Sequence, residues 1–240
     1  MAEAPQLSVV IPVYNEQDNL EPLLAELAPV LDGLDLSWEV LFVNDASTDA
    51  SAQVLARLGA AEPRLRVLTH RINSGESAAQ ASGFRAARGA LVLTMDADLQ
   101  NDPADIPRYL AALGTDLDCV CGYRAERQEG RLRRVASRTA NRFRAAITGD
   151  RLRDAGCTYR LIRRRALVEI PVFNGMHRFL PTLIKAQGGR VAEIPINDRP
   201  RQFGVSKYGI NNRLWRGLVD CFGVRWYQRR ALRLDRVSGD

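Results

Sequence analysis

Strand-like and helix-like segments alternate along the first half of this chain. Each strand-like segment is a short apolar run rich in β-branched residues, and apolar residues at intervals of three and four follow it. A regular alternation of this kind predicts an α/β domain with a mostly parallel central sheet, right-handed crossovers and helices on its faces. The predicted strands are Leu7–Val13, Glu39–Val43, Leu65–Leu68, Leu91–Met95 and Cys119–Cys121.

Polar residues ahead of the helical segments predict where the helices begin. Asn15 is placed to cap the first helix, and Ser47 or Thr48 is placed to cap the second. Asp102 precedes Pro103. Proline favours the first position of a helix because its fixed φ suits that site and its missing N–H is not needed there. These residues therefore mark boundaries between loops and helices.

Polar clusters follow the predicted strands one after another. The clusters are Pro12–Glu16, Asn44–Ser47, Asn73–Gly75, Asp96–Asp98 and Gly122–Arg124. Open parallel sheets bind ligands beyond the carboxyl ends of their strands, so these clusters predict one crevice lined by five loops. The alternative for the third cluster is a plain strand-to-helix turn, in which Gly75 supplies a positive φ.

Asp96 and Asp98 form the most informative of these clusters. The two acids lie two residues apart after an apolar strand, so on extended backbone their side chains point to the same side. Exposed at the end of a strand, they would form an oxygen-only clamp for a hard divalent cation, with a diphosphate as its other ligand. The alternative is a polar turn after a buried strand, because the Asp-x-Asp tripeptide is common.

The formal net charge of +6 predicts an anionic partner. Nucleic acid, a phosphorylated substrate and an anionic membrane all fit this balance. We find neither the basic-then-apolar start of a secretion signal nor an apolar run of the ~18 residues that span a bilayer. The four cysteines show no disulfide framework. We therefore expect a reduced protein on the cytosolic side of the membrane.

The second half of the chain is richer in arginine. A predicted helix over Arg131–Arg144 carries six arginines beside an apolar face, and a predicted strand, Arg190–Ile196, leads into the loop Arg199–Tyr208. A basic amphipathic helix closes the chain, so we predict a domain over residues 1–208 and a helical tail over residues 209–240. The tail could pack on the core, pair with another subunit, or lie on an anionic membrane, which we favour.

Four motifs occur in a set order along the chain. They are Pro12–Glu16, Asn44–Asp49, Asp96–Gln100 and Arg201–Lys207. Together they resemble the family 2 glycosyltransferases with a GT-A fold, most of all the branch of dolichol-phosphate mannosyltransferases and bacterial polyprenyl-phosphate sugar transferases. The resemblance runs from about Leu7 to Tyr208. It implies a nucleotide-diphosphate sugar donor (UDP- or GDP-linked), Mg²⁺ or Mn²⁺ as cofactor, and a polyprenyl phosphate acceptor.

The resemblance also implies roles on the donor side. In such enzymes the Asp-x-Asp-x-Gln residues meet the metal and the donor, and here they are Asp96, Asp98 and Gln100. Further donor-binding positions of the family correspond to Pro12, Tyr14, Glu16 and Asp45. The last three of these would contact the base and ribose. The family usually has two adjacent acids in the second loop, whereas this chain has Asn44 before its acid.

The resemblance also implies a set of basic and polar residues that bind phosphate. Arg124, Arg133, Ser206 and Lys207 would hold the acceptor, and Arg201 belongs to the same phosphate-binding loop as Ser206 and Lys207. Asp154 and Arg160 match a further family pattern near the acceptor. A phosphate acceptor is already largely ionised near neutral pH, so we expect it to be positioned rather than deprotonated, in an inverting single displacement. The catalytic candidates are Asp98, Arg124, Asp154 and Lys207. A hydroxyl acceptor would need a general base, for which Asp154 is the candidate.

Two alternative functions stay open. A related transferase would act on a glycan hydroxyl in cell-envelope polysaccharide synthesis, and a non-catalytic module would bind RNA or DNA through its basic face. No nucleic-acid motif supports the second, so we expect no nucleic-acid partner. Because a polyprenyl acceptor lies in the bilayer, we expect the chain to work at the cytoplasmic face. It would act there as a peripheral homo-oligomer or with a separate membrane protein.

Overall fold

The computed structural model describes residues 4–125, 142–202 and 211–232. A seven-stranded sheet lies at its centre, in the order β3-β2-β1-β4-β6-β5-β7. The strands are β1 Leu7–Val13, β2 Trp38–Asn44, β3 Leu65–Thr69, β4 Leu91–Thr94, β5 Cys119–Arg124, β6 Arg160–Arg163 and β7 Val191–Ile196. The helices are α1 Leu20–Asp32, α2 Ser51–Ala61, α3 Glu76–Ala86, α4 Ile106–Leu113, α5 over residues 142–148, α6 Leu180–Ala186 and α7 Asn211–Arg230.

The direction of the strands confirms the mostly parallel sheet. The pairs β1–β2, β1–β4, β2–β3 and β5–β7 are parallel, whereas β6 lies antiparallel between β4 and β5. Among the strands, β6 is the one that the sequence did not predict. Its four residues are Arg-Leu-Ile-Arg, too short and too polar at both ends to read as a buried strand. It nevertheless sits in the interior of the sheet, with its first three residues buried.

The predicted helix starts are partly wrong. Asp102 does cap the turn that begins at Pro103, because its Oδ1 accepts a 3.0 Å hydrogen bond from the N–H of Ala104. Helix α1, however, begins only at Leu20, and α2 begins at Ser51. The residues expected to cap them, Asn15 and Ser47 or Thr48, hydrogen-bond to one another instead and hold two loops together.

Two apolar cores lie on opposite faces of the sheet. Helices α1, α2 and α4 cover one face, and α3, α6 and α7 cover the other. Strand β1 serves both cores because successive side chains of a strand point to opposite faces. Val9 and Ile11 pack against the first set of helices, and Val10 packs against the second.

Helix α7 packs on this second face through Cys221 and Val224, which are both buried. The predicted domain boundary at residue 208 falls in residues 203–210, outside the described residues. The division into a domain and a tail therefore stays a prediction. Within the described ranges, no helix combines the length and the apolar character that crossing a membrane requires.

Two helical glycines provide a test of how tightly the helices pack on the sheet. A Cβ added at Gly83 of α3 would overlap Val10 and would come within 3.3 Å of Val43 Cγ2, whereas one added at Gly59 of α2 would meet nothing closer than 3.6 Å. We expect Gly83→Ala to lower the free energy of unfolding by about 1–2 kcal/mol, because overpacking outweighs the gain in helix propensity. Gly59→Ala should raise it by about 0.5–1 kcal/mol.

Urea unfolding of both variants measures these changes. Equal effects of the two substitutions would contradict the close approach of α3 to the sheet.

Candidate functional site

The loops at the carboxyl ends of the strands are fastened to one another, as the predicted crevice requires. The backbone N–H of Asn15, after β1, donates to Ser47 Oγ, after β2, at 3.0 Å. Asn15 Oδ1 accepts from the N–H of Thr48 at 2.7 Å, and the N–H of Glu16 donates to Ser51 Oγ at 2.9 Å. The first two loops therefore form one rigid wall.

Backbone strain is concentrated at this edge of the sheet. In the described part of the chain, the non-glycine residues with positive φ are Asn15 (55°), Ala46 (56°) and Leu99 (63°). Each lies in a loop at a carboxyl strand end, after β1, β2 and β4 respectively. Such conformations are unfavourable for residues with a side chain and persist where surrounding contacts hold them, which is common at functional sites.

Asp45 is an anchor within the protein in this structure. Its carboxylate is buried and accepts hydrogen bonds from the backbone N–H groups of Ser74 (2.9 Å) and Gly75 (2.7 Å). His70 Nδ1 lies 2.6 Å from Asp45 Oδ1. Gly75 has φ 86°, which confirms the positive φ predicted for it. The carboxylate thus joins the β2 loop to the turn before α3, and its contact with a nucleotide stays a prediction.

Asp96 and Asp98 lie next to each other at the end of β4, but their surroundings differ. Asp96 is half-buried, and its Oδ2 accepts a 2.6 Å hydrogen bond from Thr158 Oγ1. Asp98 is only 7% exposed, because Arg201 Nη2 lies 2.5 Å from its Oδ2. The expectation that both acids are exposed is therefore wrong for Asp98, whose charge a guanidinium covers.

The electrostatics of the pair suit a cation. Burial, and after it the neighbouring charge of Asp98, raise the pKa of Asp96 to about 6. The hydrogen bond from Thr158 and the charges of Arg160 and Arg124 act in the opposite direction and do not cancel this rise. Two carboxylates with incompletely balanced charge offer the hard oxygen donors that Mg²⁺ and Mn²⁺ prefer.

The acid pair offers few side-chain ligands to a metal ion. Among the described residues, no group of three or more His, Cys, Asp or Glu side chains surrounds a common metal position. The pair fits an ion that keeps several waters or is bound together with substrate phosphates, which is the usual behaviour of Mg²⁺ in proteins.

Gln100 and the segment before residue 203 pair with each other. Gln100 O accepts from the N–H of Arg199 at 3.0 Å, and Gln100 Nε2 donates to Arg199 O at 3.4 Å. Arg199 also reaches Glu26 on α1 at 2.7 Å. These contacts place Arg201 between Asp98 and Glu16, whose Oε1 lies 3.9 Å from Arg201 Nη1. Three predicted site residues, Glu16, Asp98 and Arg201, thus come together.

Arg124 and Asp154 form a bidentate ion pair. Arg124 Nε donates to Asp154 Oδ2 at 2.7 Å, and Nη2 donates to Oδ1 at 3.2 Å. The Asp154 side chain is buried, and about a quarter of the Arg124 side chain is exposed (25%). Burial acts to lower the pKa of Arg124, but the hydrogen bonds to Asp154 outweigh it and raise that pKa above its ordinary value. The guanidinium is therefore charged, oriented and accessible.

Two residues at the amino end of β6 lie beside the acid pair. Arg160 is the first residue of the strand, and Thr158, two residues before it, holds Asp96 as described above. Arg160 is buried, and it donates to His177 O at 2.5 Å and to Ala155 O at 3.3 Å. The sequence analysis missed Thr158 and His70. The signal available for Thr158 was its position two residues before Arg160, because two such side chains lie on the same side of an extended backbone.

The other predicted site residues fall into two groups. Pro12 lies near the end of β1, Tyr14 is exposed just after that strand, and Glu16 Oε2 accepts a 2.6 Å hydrogen bond from Asn19 Nδ2. These three stand at the same edge as Asp98. The predicted phosphate-binding residues Arg133, Ser206 and Lys207 lie outside the described residues.

Two relatives match nearly the whole chain. A dodecaprenyl-phosphate galacturonate synthase of Rhizobium johnstonii is 36% identical over 98% of this chain and 70% of its own length. An undecaprenyl-phosphate 4-deoxy-4-formamido-L-arabinose transferase of Edwardsiella ictaluri is 38% identical over 90% of this chain and 67% of its own length.

Solved structures share the fold at much lower identity. Glucosyl-3-phosphoglycerate synthase from Mycobacterium tuberculosis, in complex with Mn²⁺, UDP-glucose and phosphoglyceric acid, superposes with a TM-score of 0.69 at 20% identity. The match covers 92% of this chain and 79% of that one. The same enzyme with Mg²⁺ and UDP gives a TM-score of 0.68 at 18% identity, over 91% and 80% of the two chains. The predicted GT-A fold is thereby confirmed.

A sequence model of one enzyme family covers most of the sheet and both acids of the pair. It is described as Glycosyl transferase family 2, and it matches residues 8–170. With this match and relatives at 36–38% identity, the chain belongs to glycosyl transferase family 2.

Proposed function

We propose that this glycosyltransferase moves a sugar from a nucleotide-diphosphate sugar to a polyprenyl phosphate, with the help of a divalent cation. The observation that carries the proposal is the arrangement at one sheet edge of an acid pair, Asp96 and Asp98, with the arginines Arg124 and Arg201. The acids suit a cation with its diphosphate, and the arginines suit phosphate groups. The named activities of the two relatives give the same class of acceptor.

On the donor side, Asp96 and Asp98 would hold Mg²⁺ or Mn²⁺, with Gln100 beside them. Such an ion, when bound, offsets the negative charge that grows on the departing diphosphate. The two carboxylates orient this end of the site, and Thr158 fixes one of them through its hydroxyl. The residues proposed to hold the nucleotide are Pro12, Tyr14, Glu16 and Asp45.

Arg201 has a second part in this proposal. In the structure its guanidinium balances the charge of Asp98 and lies near Glu16. An arginine prefers planar, bidentate contacts with carboxylate or phosphate oxygens, so it can exchange one anion for the other. We propose that Arg201 leaves the carboxylate for a donor phosphate, and that Asp98 then becomes available to the cation.

On the acceptor side, Arg124 would position the lipid phosphate. Asp154 uses one N–H on Nε and one on Nη2, and the partly exposed guanidinium carries five N–H groups in total. Both oxygens of Asp154 accept from Arg124, which favours a positioning part for this acid over that of a general base. This arrangement favours a phosphate acceptor over a glycan hydroxyl. Arg133, Ser206 and Lys207 are proposed to complete the phosphate site.

The reaction we propose is a single inverting displacement. An acceptor phosphate oxygen forms a bond to the anomeric carbon as the bond from that carbon to the donor's diphosphate oxygen breaks. Since the polyprenyl chain partitions into the bilayer, the reaction would take place at the membrane surface, on its cytoplasmic side. The predicted homo-oligomer stays a prediction.

A transfer assay tests the acceptor class. The full chain is incubated with a panel of radiolabelled nucleotide sugars, Mg²⁺ or Mn²⁺, and a short, water-soluble polyprenyl phosphate. We expect label in the lipid phosphate. Asp98→Ala and Arg124→Gln should each lower the rate on the order of 100-fold or more, because each removes a charge that acts on a phosphate.

Asp35→Ala is the matched control, since Asp35 is an exposed acid just before β2, at the opposite edge of the sheet. Its rate should equal that of the wild type. Transfer of label to free glycans in place of the lipid phosphate would contradict the proposal, and so would near-normal turnover of Asp98→Ala.

Replacing Asp96 tests whether its charge destabilises the protein without metal and is needed to bind the cation. With EDTA at pH 7.5, Asp96→Asn should raise the melting temperature by about 2–4 °C, because it removes a half-buried charge beside Asp98 and keeps an oxygen for Thr158. The folded-state pKa is about 6, above the ordinary 3.8, so the wild type loses stability as pH rises between these values. The gain should therefore be smaller at pH 5.

Asp98→Asn is the contrasting variant, because it breaks the ion pair with Arg201. Its melting temperature should fall. Addition of Mn²⁺ and UDP should stabilise the wild type and neither variant. An unchanged melting temperature of Asp96→Asn, or its stabilisation by Mn²⁺, would contradict the part we assign to the acid pair.

A further inference from the structure

Helix α7 has two separate apolar faces. One packs into the protein through Cys221 and Val224, which are 4% and 2% exposed. The other consists of Val219, Phe222 and Trp226, which are 66%, 61% and 64% exposed. The spacing of three and four residues places these last three side chains on one side of the helix. We call them the outer face of α7.

Exposed apolar residues are common when they are isolated, but this outer face groups three large ones, two of them aromatic. Burying the side chains of phenylalanine and tryptophan is strongly favourable, so a stable protein gains from giving such a face a partner. Within the described residues, the core that covers the inner face of α7 leaves the outer face open to solvent.

The charges around the outer face are positive. Arg229 and Arg230 are exposed and Arg225 is half-buried, and their positions in the helix flank Phe222 and Trp226. The single acid of α7 is Asp220, and it pairs with Arg178 at 3.0 Å. The outer face therefore combines apolar rings with cations and carries no carboxylate of its own helix.

We propose that the outer face of α7 is a docking surface for an anionic lipid membrane. Tryptophan and phenylalanine insert at the level of the headgroups, and the arginines lie against lipid phosphates. A second copy of the chain fits less well, because a symmetric contact would bring two sets of arginines together. The proposed binding to lipid needs only the outer face of α7. The further idea that this binding helps to deliver a lipid acceptor rests on the proposed function.

Contacts connect this surface to the site. Asp220 of α7 holds Arg178 in the turn Met176–Arg178, and His177 O of that turn holds Arg160 beside the acid pair. The helix that carries the docking surface is thus attached to the sheet edge through a buried guanidinium. Docking of α7 would hold the site at a set position relative to the membrane.

Vesicle sedimentation of the full chain tests the docking surface. Vesicles of phosphatidylcholine alone are compared with vesicles containing phosphatidylglycerol, at fixed salt. We expect binding to the anionic vesicles only. Trp226→Glu and Phe222→Glu should each weaken it 10-fold or more, and Arg229→Gln should weaken it about 5-fold, the effect of one basic residue near such a surface.

Ala56→Glu is the matched control, because it adds the same charge at an exposed position of α2, on the opposite face of the sheet. Its binding should equal that of the wild type. Melting curves establish that each variant is folded. Quenching of tryptophan fluorescence by brominated lipid gives a second measurement. We expect less quenching in Trp226→Phe, a conservative change that keeps an aromatic ring at this position.

Several outcomes would overturn the docking proposal. They are equal binding to neutral and anionic vesicles, binding unchanged by Trp226→Glu, self-association that Trp226→Glu abolishes in the absence of lipid binding, and retention of RNA through the same residues. Turnover with a short, water-soluble acceptor separates the two proposals. If the wild-type chain turns over this acceptor but binds no anionic vesicles, docking fails and the proposed function stands; if it binds the vesicles but transfers no sugar, the proposed function fails and docking stands.

Discussion

Two carboxylates lie side by side at the end of β4, where burial, and after it the charge of Asp98, raise the pKa of Asp96. Several neighbouring groups offset the repulsion between these two carboxylates. Thr158 donates a hydrogen bond to Asp96, Arg201 covers Asp98, and Arg124 and Arg160 supply positive charge nearby. These groups come from segments far apart in the chain, so the folded sheet is what assembles them. The remaining imbalance suits a cation together with an anionic substrate.

The reversed strand β6 is what allows this assembly. Parallel strands bring only their carboxyl ends to the site, whereas an antiparallel strand brings its amino end to the same edge. Thr158 and Arg160 reach the surroundings of Asp96 in this way, and the hydrogen bonds of Arg160 to the His177 and Ala155 carbonyls hold its buried guanidinium. Burying such a charge is costly unless polar groups surround it, which gives these carbonyl contacts their importance.

The sequence predicted the parts of the fold that depend on local pattern. The strand patterns identified six of the seven strands, β7 among them, and Leu7–Val13 was predicted to the residue. The apolar pattern did not predict β6, because this short strand has Arg160 and Arg163 at its two ends and is stabilised by tertiary contacts. The prediction also failed at the helix starts, because Asn15 and Ser47 satisfy each other across two loops.

The site shows the same division. Asp96, Asp98, Arg124 and Asp154 were all identified from motifs, yet their pairings were not. The ion pair of Arg124 with Asp154 joins residues 30 positions apart, and Arg201 meets Asp98 across 103 positions. Local sequence carries no information on such distances, and for that reason the covering of Asp98 was not foreseen.

The chain leaves the sheet at the end of β5 and re-enters it at the start of β6, at one and the same edge. The segment between them therefore begins and ends at the edge that carries the ion pair of Arg124 and Asp154. The described part of this segment is fastened to the helices, because Asp150 accepts hydrogen bonds from Thr182 and Lys185 of α6, and Thr148 O accepts one from Gln228 of α7. A change in the connection between β5 and β6 therefore alters the surroundings of Arg124 and Asp154, whereas the loops after β1 and β2 are held by hydrogen bonds of their own.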